Sequence, residues 1–403
     1  MVHALNSSDQ LWPNAKPVHI PVLRPQLPTS EEILPYLHRL DKARTYSNFG
    51  PLVGEFENRL AWILGVGQGH VVTTSSGTAG IMAAVLASAL PADRRPYALL
   101  PSFTFTATAL AVEHCRFKIH FADVDPESWA LDPNMLLKHP ALDRIGLVVP
   151  VAPFGRPIAH AAWLNFREQT GIPVVIDAAA SFFCIEKTAA RFIGEIPTVF
   201  SFHATKSFGI GEGGCVATTD KALAERIRQV TNFGFWDSRE SKVTGFNGKL
   251  SEYHAAVGLA RLDSWGSHRA TLLNQSATYE TLFLACGRAG SFYGAPEVDG
   301  SYALFFCDTV EEAKQIERHL ESDNIDFRFW YGRGVHLHEA FSAATCDEMS
   351  VTENIGARII GLPMAPDLSQ SDMERVIHAV EVGSLEVPKI ARPEPLSNRL
   401  RTD

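Results

Sequence analysis

Short, mostly apolar runs alternate with helix-like segments between about residue 54 and residue 217, and this alternation restricts the fold more than any other feature of the chain. The runs Tyr97–Leu100, Ile145–Val151 and Pro173–Ile176 are apolar at consecutive positions rather than at alternate ones. Helices that cover both faces of a parallel sheet give its strands this character. The pattern therefore predicts an α/β fold in which a mostly parallel, mixed sheet lies between layers of helices.

The pattern changes in the last third of the chain. A strand-like piece at 301–306 is followed by helix-like segments at 310–323 and 371–380. This mixture over about 140 residues is typical of a small α+β domain with its own core. We therefore predict that residues 1–265 form an N-terminal arm and a large domain, and that residues 266–403 form a smaller C-terminal domain.

Prolines at positions 13, 17, 21, 25 and 28 dominate the first thirty residues. Proline lacks a backbone N–H and disfavours helical geometry at the residue before it, so such a segment is a poor helix or strand. We expect an extended arm laid over a neighbour.

Composition excludes several classes of protein. The chain has 36 basic and 45 acidic side chains and a formal charge of −9, which argues against a nucleic-acid binder. No run of 18 apolar residues suggests a membrane span, and the first residues do not resemble a signal peptide, so we expect a cytoplasmic location. The six cysteines include no C-x-x-C pair and are expected to be small buried side chains.

The turn Ser75–Gly80 follows a short strand and opens an alanine-rich helix. Free backbone N–H groups and the positive end of the helix dipole make such a turn an anion site. Without a Gly-Lys-Thr sequence it is not a P-loop. The alternative is that Ser76 or Thr78 only caps the helix and leaves the turn empty.

Two ionisable residues stand at the ends of apolar strands. Asp177 ends the run Pro173–Ile176 and is either a ligand-binding carboxylate or a helix cap. Lys206 follows the run Val199–Phe202, and a lysine in apolar surroundings can lose its proton, although most lysines are solvated surface charges. A phosphate turn, an aspartate and a lysine together are what pyridoxal phosphate (PLP) requires.

Other motifs point to weaker hypotheses. Gly209–Gly214 matches G-x-G-x-x-G, but the strand-like Cys215–Thr219 follows where a dinucleotide site needs a helix, so we expect a close-packed turn. His336 and His338 share one face of a predicted strand without a third ligand at suitable spacing, and no metal is expected. Trp330, Tyr331 and Arg333 either line a substrate cleft or belong to a packed edge of the small domain.

The motifs and their order resemble the DegT/DnrJ/EryC1/StrS aminotransferases, a family of fold-type-I PLP enzymes that act mostly on nucleotide-linked keto sugars. The resemblance runs from about residue 45 to 380. It is carried by Asn48–Val53, Ser76–Ala79, Pro101–Phe105, Asp123–Pro126, Ile176–Ala179, Ser201–Lys206, Gly211–Gly214, Asn232–Gly234, Asn247–Glu252 and Gly361–Met364.

The resemblance implies a role for each matching residue. Lys206 would be the Schiff-base lysine and proton shuttle, and Asp177 would pair with the pyridine nitrogen. The other implied cofactor contacts are Gly77, Thr78 and Ser201 at the phosphate, Phe105 stacked on the ring, and Asn247 at the phosphate of the neighbouring subunit's site. The last contact implies a homodimer with shared active sites.

The resemblance predicts an aminotransferase that moves an amino group from L-glutamate to a keto sugar, and in particular to a nucleotide-linked keto sugar. Such an enzyme would serve polysaccharide biosynthesis. Two alternatives stay open: a sugar dehydratase or lyase, although such relatives carry histidine at the position of Lys206, and a regulatory protein that binds PLP without turnover. Ala152 and Ala180 replace polar residues that are usual in the family, so the acceptor substrate is left open.

Overall fold

A mixed β-sheet lies at the centre of the computed structural model, which describes residues 17–187 and 192–386. Its strands form where the chain is most apolar, and nearly all of their residues are buried. The strands are β1 (Val71–Thr74), β2 (Tyr97–Pro101), β3 (Lys118–Ala122), β4 (Ile145–Val148), β5 (Ile176–Asp177), β6 (Thr198–Ser201) and β7 (Gly214–Ala217).

The strand order agrees with the predicted α/β fold. One half of the sheet has the order β1-β7-β6-β5 and the other the order β4-β2-β3. Parallel bridges from Val148 to Val174 and from Val151 to Asp177 join the halves. Among these strands β7 is antiparallel to both neighbours, whereas β2 to β6 pair in parallel. The carboxyl ends of β4, β5 and β6 therefore meet at one edge, where open α/β sheets bind ligands.

Helices cover the sheet, as the apolar runs predict. Helix α3 is buried on most of its surface, which is why its sequence is almost entirely Ala, Gly and other apolar residues. The α-helices that the structure describes up to residue 285 include α1 (Ser30–Ala43), α2 (Pro51–Ile63), α3 (Gly77–Ser88), α4 (Thr106–His114), α5 (Pro133–Leu136), α6 (His160–Thr170), α7 (Lys221–Thr231) and α8 (Glu252–Ala285).

A second, antiparallel sheet with the order β11-β9-β8 follows α8, and we call it the C-terminal sheet. The predicted boundary at residues 265–266 falls inside α8, and the division into two domains stays a prediction. The remaining elements are β8 (Phe292–Tyr293), β9 (Ala303–Phe306), α9 (Val310–Ser322), β10 (Thr345–Cys346), α10 (Ser350–Gly356), β11 (Ile359–Leu362) and α11 (Gln370–Leu385).

The proline-rich arm is extended over the described residues 17–29. It runs along its own chain, with parallel bridges from Ile20 to Ile325 and from Leu23 to Met364. Residues 1–16, including the proline at position 13, lie outside the described residues. The arm ends at Thr29, whose side chain and backbone form a capping box with Glu32 and start α1.

The cysteines only partly match their prediction. Cys115, Cys215 and Cys307 are buried, Cys184 and Cys286 are half-buried, and Cys346 is exposed. In the described part of the chain, no helix is both long and apolar enough to cross a membrane.

Candidate active site

A cavity of about 650 Å³ opens at the carboxyl ends of β4, β5 and β6. Residues of the central sheet form its floor, and aromatic residues near the C-terminal sheet form its opposite wall. Six of the seven predicted site residues line it: Gly77, Thr78, Phe105, Asp177, Ser201 and Lys206. Residues more than a hundred positions apart in sequence thus lie together at the carboxyl ends of these strands.

The amino end of α3 lines the cavity. The Ser76 side chain caps the helix by accepting a hydrogen bond from Ala79 N, at 3.1 Å. Within the described residues, the N–H groups of Gly77 and Thr78 donate to no protein acceptor. A Cβ atom at Gly77 would lie 2.8 Å from Cβ of Ser201, so only glycine fits beside β6. The Ser76 cap therefore does not use the N–H groups of Gly77 and Thr78, and free N–H groups at a helix start suit a phosphate.

Asp177 is buried, with 5% of its surface exposed. Its Oδ2 accepts a hydrogen bond from Thr108 Oγ1 at 2.7 Å, and its Oδ1 accepts one from Ala179 N at 3.0 Å. Burial raises the pKa of this carboxyl group, and the two hydrogen bonds and the charge of Lys206 oppose that rise. In the described part of the chain no basic side chain forms an ion pair with Asp177. A buried carboxylate without a cation fits a protonated pyridine nitrogen.

Lys206 lies in the loop that joins β6 to β7, and its Nζ faces Tyr302 Oη at 3.2 Å. Tight packing fixes this loop: a Cβ atom at Gly209 would lie 2.7 Å from the carbonyl oxygen of Ala204. Gly211 has a φ of +98°, which favours glycine. As predicted, the glycine-rich turn is followed by a strand, β7, and so is not a dinucleotide-binding turn.

The residues present fit pyridoxal phosphate. Free N–H groups suit its phosphate, Asp177 suits its ring nitrogen, and Lys206 suits its aldehyde. Phe105 is 62% exposed for an aromatic side chain and lines the cavity where α4 begins, so its ring is available for stacking. Asn247 is exposed and does not line the cavity of its own chain; its role toward a neighbouring subunit stays a prediction.

The substrate side of the cavity contains residues that the sequence left ambiguous or did not indicate. Trp330 and Tyr331 line the cavity, whereas Arg333 pairs with Glu353 instead. Tyr302 lines it as well, and nothing in the sequence singled it out. Arg328 is exposed at the same wall, and its guanidinium lies 4.9 Å from the centroid of the Trp330 ring.

The two alanines that depart from the family pattern, Ala152 and Ala180, are buried and also line the cavity. Thr108 was missed as well. The sequence signal is the spacing of four residues between Thr104 and Thr108. In the structure their hydroxyl groups lie 2.8 Å apart.

The histidine pair considered for metal binding does not lie on a strand, so that expectation was wrong. His336 belongs to a 3-10 helix, Val335–Leu337. Its Nδ1 lies 2.6 Å from Ser102 Oγ, and its Nε2 lies 3.4 Å from Glu353. Ser102 is fully buried, so these contacts fix the chain rather than form a site open to ligands.

Another cluster, His120, His139 and Asp347, has its polar atoms within 4.8 Å of one another. Nδ1 of His139 accepts a hydrogen bond from Ala141 N at 3.2 Å, so the ring proton is on Nε2, which donates to Asp347 at 3.1 Å. Although partial burial raises the pKa of Asp347, hydrogen bonds from both histidines outweigh it and lower that pKa. The cluster is therefore a hydrogen-bonded link between β3 and the residue after β10.

Comparison with known proteins agrees with this geometry. The model of the DegT/DnrJ/EryC1/StrS aminotransferase family matches residues 28–381. Protein Rv3402c of Mycobacterium tuberculosis (strain H37Rv) is 31% identical over 373 residues, which cover 90% of this chain and 89% of the relative. The dTDP-3-amino-3,4,6-trideoxy-alpha-D-glucose transaminase of Streptomyces venezuelae is 30% identical over 77% of this chain and 82% of its own.

Among solved structures, DesI in the presence of its TDP-sugar product superposes with a TM-score of 0.79 at 29% identity. The match covers 92% of this chain and 94% of that one. Family match, fold and site thus agree over nearly the whole described chain. The protein belongs to the DegT/DnrJ/EryC1/StrS aminotransferase family and is a PLP-dependent aminotransferase.

Proposed function

We propose that the protein transfers an amino group from L-glutamate to a keto sugar carried on a nucleotide. The observation that carries this proposal is that Lys206, the buried Asp177 and three aromatic side chains, Tyr302, Trp330 and Tyr331, line one cavity. The likeness to a dTDP-sugar transaminase and to DesI supports a nucleotide-linked sugar as the acceptor. A cytoplasmic location stays a prediction from the sequence.

PLP supplies the electron sink that lets a proton leave the amino-bearing carbon of the donor. The residues of this chain do the rest. The free N–H groups of Gly77 and Thr78 bind the phosphate. The Asp177 carboxylate would keep a proton on the ring nitrogen, because a buried carboxylate favours a positive neighbour. Lys206 Nζ would accept and return the substrate proton, since Lys206 lines the cavity together with Asp177.

The wall opposite these groups suits a sugar rather than an amino acid side chain alone. Trp330 and Tyr331 line the cavity and give it aromatic carbon of the kind that packs against a saccharide ring. Ala152 and Ala180 add no polar group, so this part of the cavity favours a deoxygenated region of the sugar. Arg328, exposed at the same wall, supplies positive charge for the phosphates of a nucleotide. Transamination is favoured over the dehydratase alternative, because dehydratase relatives carry histidine where this chain has Lys206.

A panel of keto sugars tests the proposed acceptor. The protein carrying the amino form of the cofactor is mixed with TDP- and UDP-linked keto sugars and with the same keto sugars free of nucleotide. We expect the absorbance of the lysine-linked cofactor to return with at least one nucleotide-linked compound and at least about tenfold more slowly with the free sugar, since phosphate contacts are lost. Equal rates with free and linked sugars would contradict the nucleotide requirement.

We propose further that the active protein is a homodimer in which Asn247 completes the phosphate site of its partner. Asn247 is exposed on the segment before α8 and lies outside its own cavity, as this arrangement requires. Mixing Lys206→Ala subunits with Asn247→Ala subunits is then expected to restore activity, because one site in each mixed dimer has both native residues. Lys221→Ala, an exposed change on α7, replaces Asn247→Ala in the control mixture.

In that control, the Lys221→Ala subunit is active alone and shows how much activity subunit exchange by itself preserves. A mixed sample that stays inactive, although mass spectrometry shows exchanged dimers, would mean that Asn247 acts within its own chain or has no role at the site.

A further inference from the structure

Tyr302 is the side chain that holds the reactive nitrogen of Lys206 in this structure. Its hydroxyl oxygen lies 3.2 Å from Lys206 Nζ, which donates the hydrogen bond, and the two residues are 96 positions apart in sequence. We propose that Tyr302 is a positioning residue for Lys206: it keeps the free amine directed into the cavity whenever Nζ is not bound to cofactor. This inference rests on the PLP-dependent reaction and not on the identity of the sugar.

The position of Tyr302 is fixed by packing on both sides of its ring. Only 7% of its surface is exposed. Its ring lies edge-on to Phe154, with centroids 5.4 Å apart, and to Trp330, with centroids 5.2 Å apart. A tyrosine enclosed in this way has few rotamers available, so its hydroxyl group is a fixed point against which a flexible lysine can be oriented.

A buried carboxylate ties Tyr302 to the lysine loop. Asp299 is 1% exposed, and its Oδ2 accepts a hydrogen bond from Ser207 Oγ at 2.6 Å. Its Oδ1 accepts one from Ser301 N at 2.9 Å, and its carbonyl oxygen accepts one from Tyr302 N at 2.9 Å. Ser207 follows Lys206 and Ser301 precedes Tyr302, so one side chain fixes the separation of the two functional residues.

The chemistry of Tyr302 suits orientation rather than proton removal. Burial raises the pKa of its phenol well above the usual value, and the nearby charge of Asp299 raises it further. The hydroxyl group therefore stays neutral at physiological pH and accepts one N–H of Lys206. The form of an amine that attacks an aldehyde has two N–H bonds and one lone pair, so holding one N–H restricts the directions that the lone pair can take.

Replacement of Tyr302 with phenylalanine removes this hydrogen bond and keeps the ring. The matched control is Tyr293→Phe, which removes the hydroxyl of a half-buried tyrosine on β8, the strand beside β9. Tyr293 lies on β8 opposite Leu304, packs against Trp129, and does not line the cavity. Both variants are isosteric changes, and their melting temperatures report any structural cost separately.

The first measurement uses the apoprotein and PLP alone. We expect Tyr302→Phe to capture added PLP about five- to tenfold more slowly than wild type, by absorbance, because the amine is no longer directed toward the aldehyde. Tyr293→Phe is expected to stay within about twofold of wild type. Equal capture rates in wild type and Tyr302→Phe would overturn the proposal, as would equal slowing in both variants.

The second measurement is a single turnover of the PLP form with L-glutamate. A positioning role predicts that the rate constant at saturation falls about tenfold in Tyr302→Phe while the half-saturating concentration changes less than about twofold. A loss confined to glutamate affinity would overturn the proposal. If wild type does not react with L-glutamate at all, the proposed donor is contradicted, and the capture measurement still decides the role of Tyr302.

Discussion

Borohydride reduction of the PLP-loaded protein is expected to attach the cofactor to Lys206 and to no other lysine. Lys206 is the lysine whose Nζ lies in the cavity with Asp177 and the free N–H groups of α3. Borohydride reduces the imine linkage to a stable amine, so digestion and mass spectrometry locate it. The variant Lys206→Ala is expected to lose at least about a thousandfold in turnover, because the residue that moves the substrate proton is gone.

Lys249 is the competing lysine that this experiment must distinguish. Burial lowers its pKa, so it too is a candidate nucleophile, but its Nζ lies over the Phe233 ring and outside the cavity. Lys221→Ala, at the exposed start of α7, serves as the control and should be labelled like wild type. An adduct on the peptide that contains Lys249 would show that the cofactor site has been assigned to the wrong lysine.

Asp177→Asn is expected to reduce turnover by about a hundred- to a thousandfold while the protein still folds and binds PLP. Asparagine keeps an oxygen for Ala179 N and can place its amide opposite Thr108 Oγ1, so the local hydrogen bonds survive. What it lacks is the negative charge that keeps a proton on the ring nitrogen. Single-turnover rates with L-glutamate measure the loss. A near-normal rate would mean that Asp177 only fixes the loop that follows β5.

The same substitution has an opposite effect on the stability of the apoprotein. Because burial raises the pKa of Asp177, the folded state binds its proton more tightly than the unfolded state does. Stability therefore decreases as the pH rises from the ordinary aspartate value through the raised one, and the penalty is complete above that. We expect apo Asp177→Asn to melt at a higher temperature than apo wild type at pH 7, with the difference disappearing below about pH 4.

Added PLP should remove or reverse that difference, because it gives the wild-type carboxylate the positive partner that the apoprotein lacks. Melting curves with and without PLP at both pH values measure the effect. Thr108→Val is a useful companion, since it removes a hydrogen bond from the Asp177 carboxylate without removing its charge. An apo Asp177→Asn protein less stable than wild type at pH 7 would contradict the assignment of Asp177 as an uncompensated buried charge.

The local elements of the site follow directly from the sequence. The apolar runs around β2 and β4 predict strands buried on both faces, because helices on both sides leave no polar face. The turn before α3 predicts an anion site, since the first N–H groups of any helix lack partners. Those features depend on a few adjacent residues. The structure has the strands and the start of α3 where they were predicted, and the binding of an anion there stays a prediction.

The length of α8 was not predicted, although its signal is present. Helix α8 begins at Glu252 and continues to Ala285, past the domain boundary predicted at residues 265–266. Leu272, Tyr279 and Phe283 are buried on the extended part at spacings that fit one helical face. The predicted boundary therefore falls within one continuous helix, and the division into two domains stays a prediction.

By itself, the sequence determined the α/β fold and the family, because strand burial, helix termini and ordered motifs depend on neighbouring residues. The residues that would hold PLP stay a prediction from the same motifs. Only the tertiary structure decided which side chains meet Lys206 and Asp177 from elsewhere in the chain. Tyr302 reaches Lys206 across 96 residues, and Thr108 reaches Asp177 across 69. Such contacts depend on how β9, α4 and the central sheet pack together, and no local pattern of residues specifies that packing.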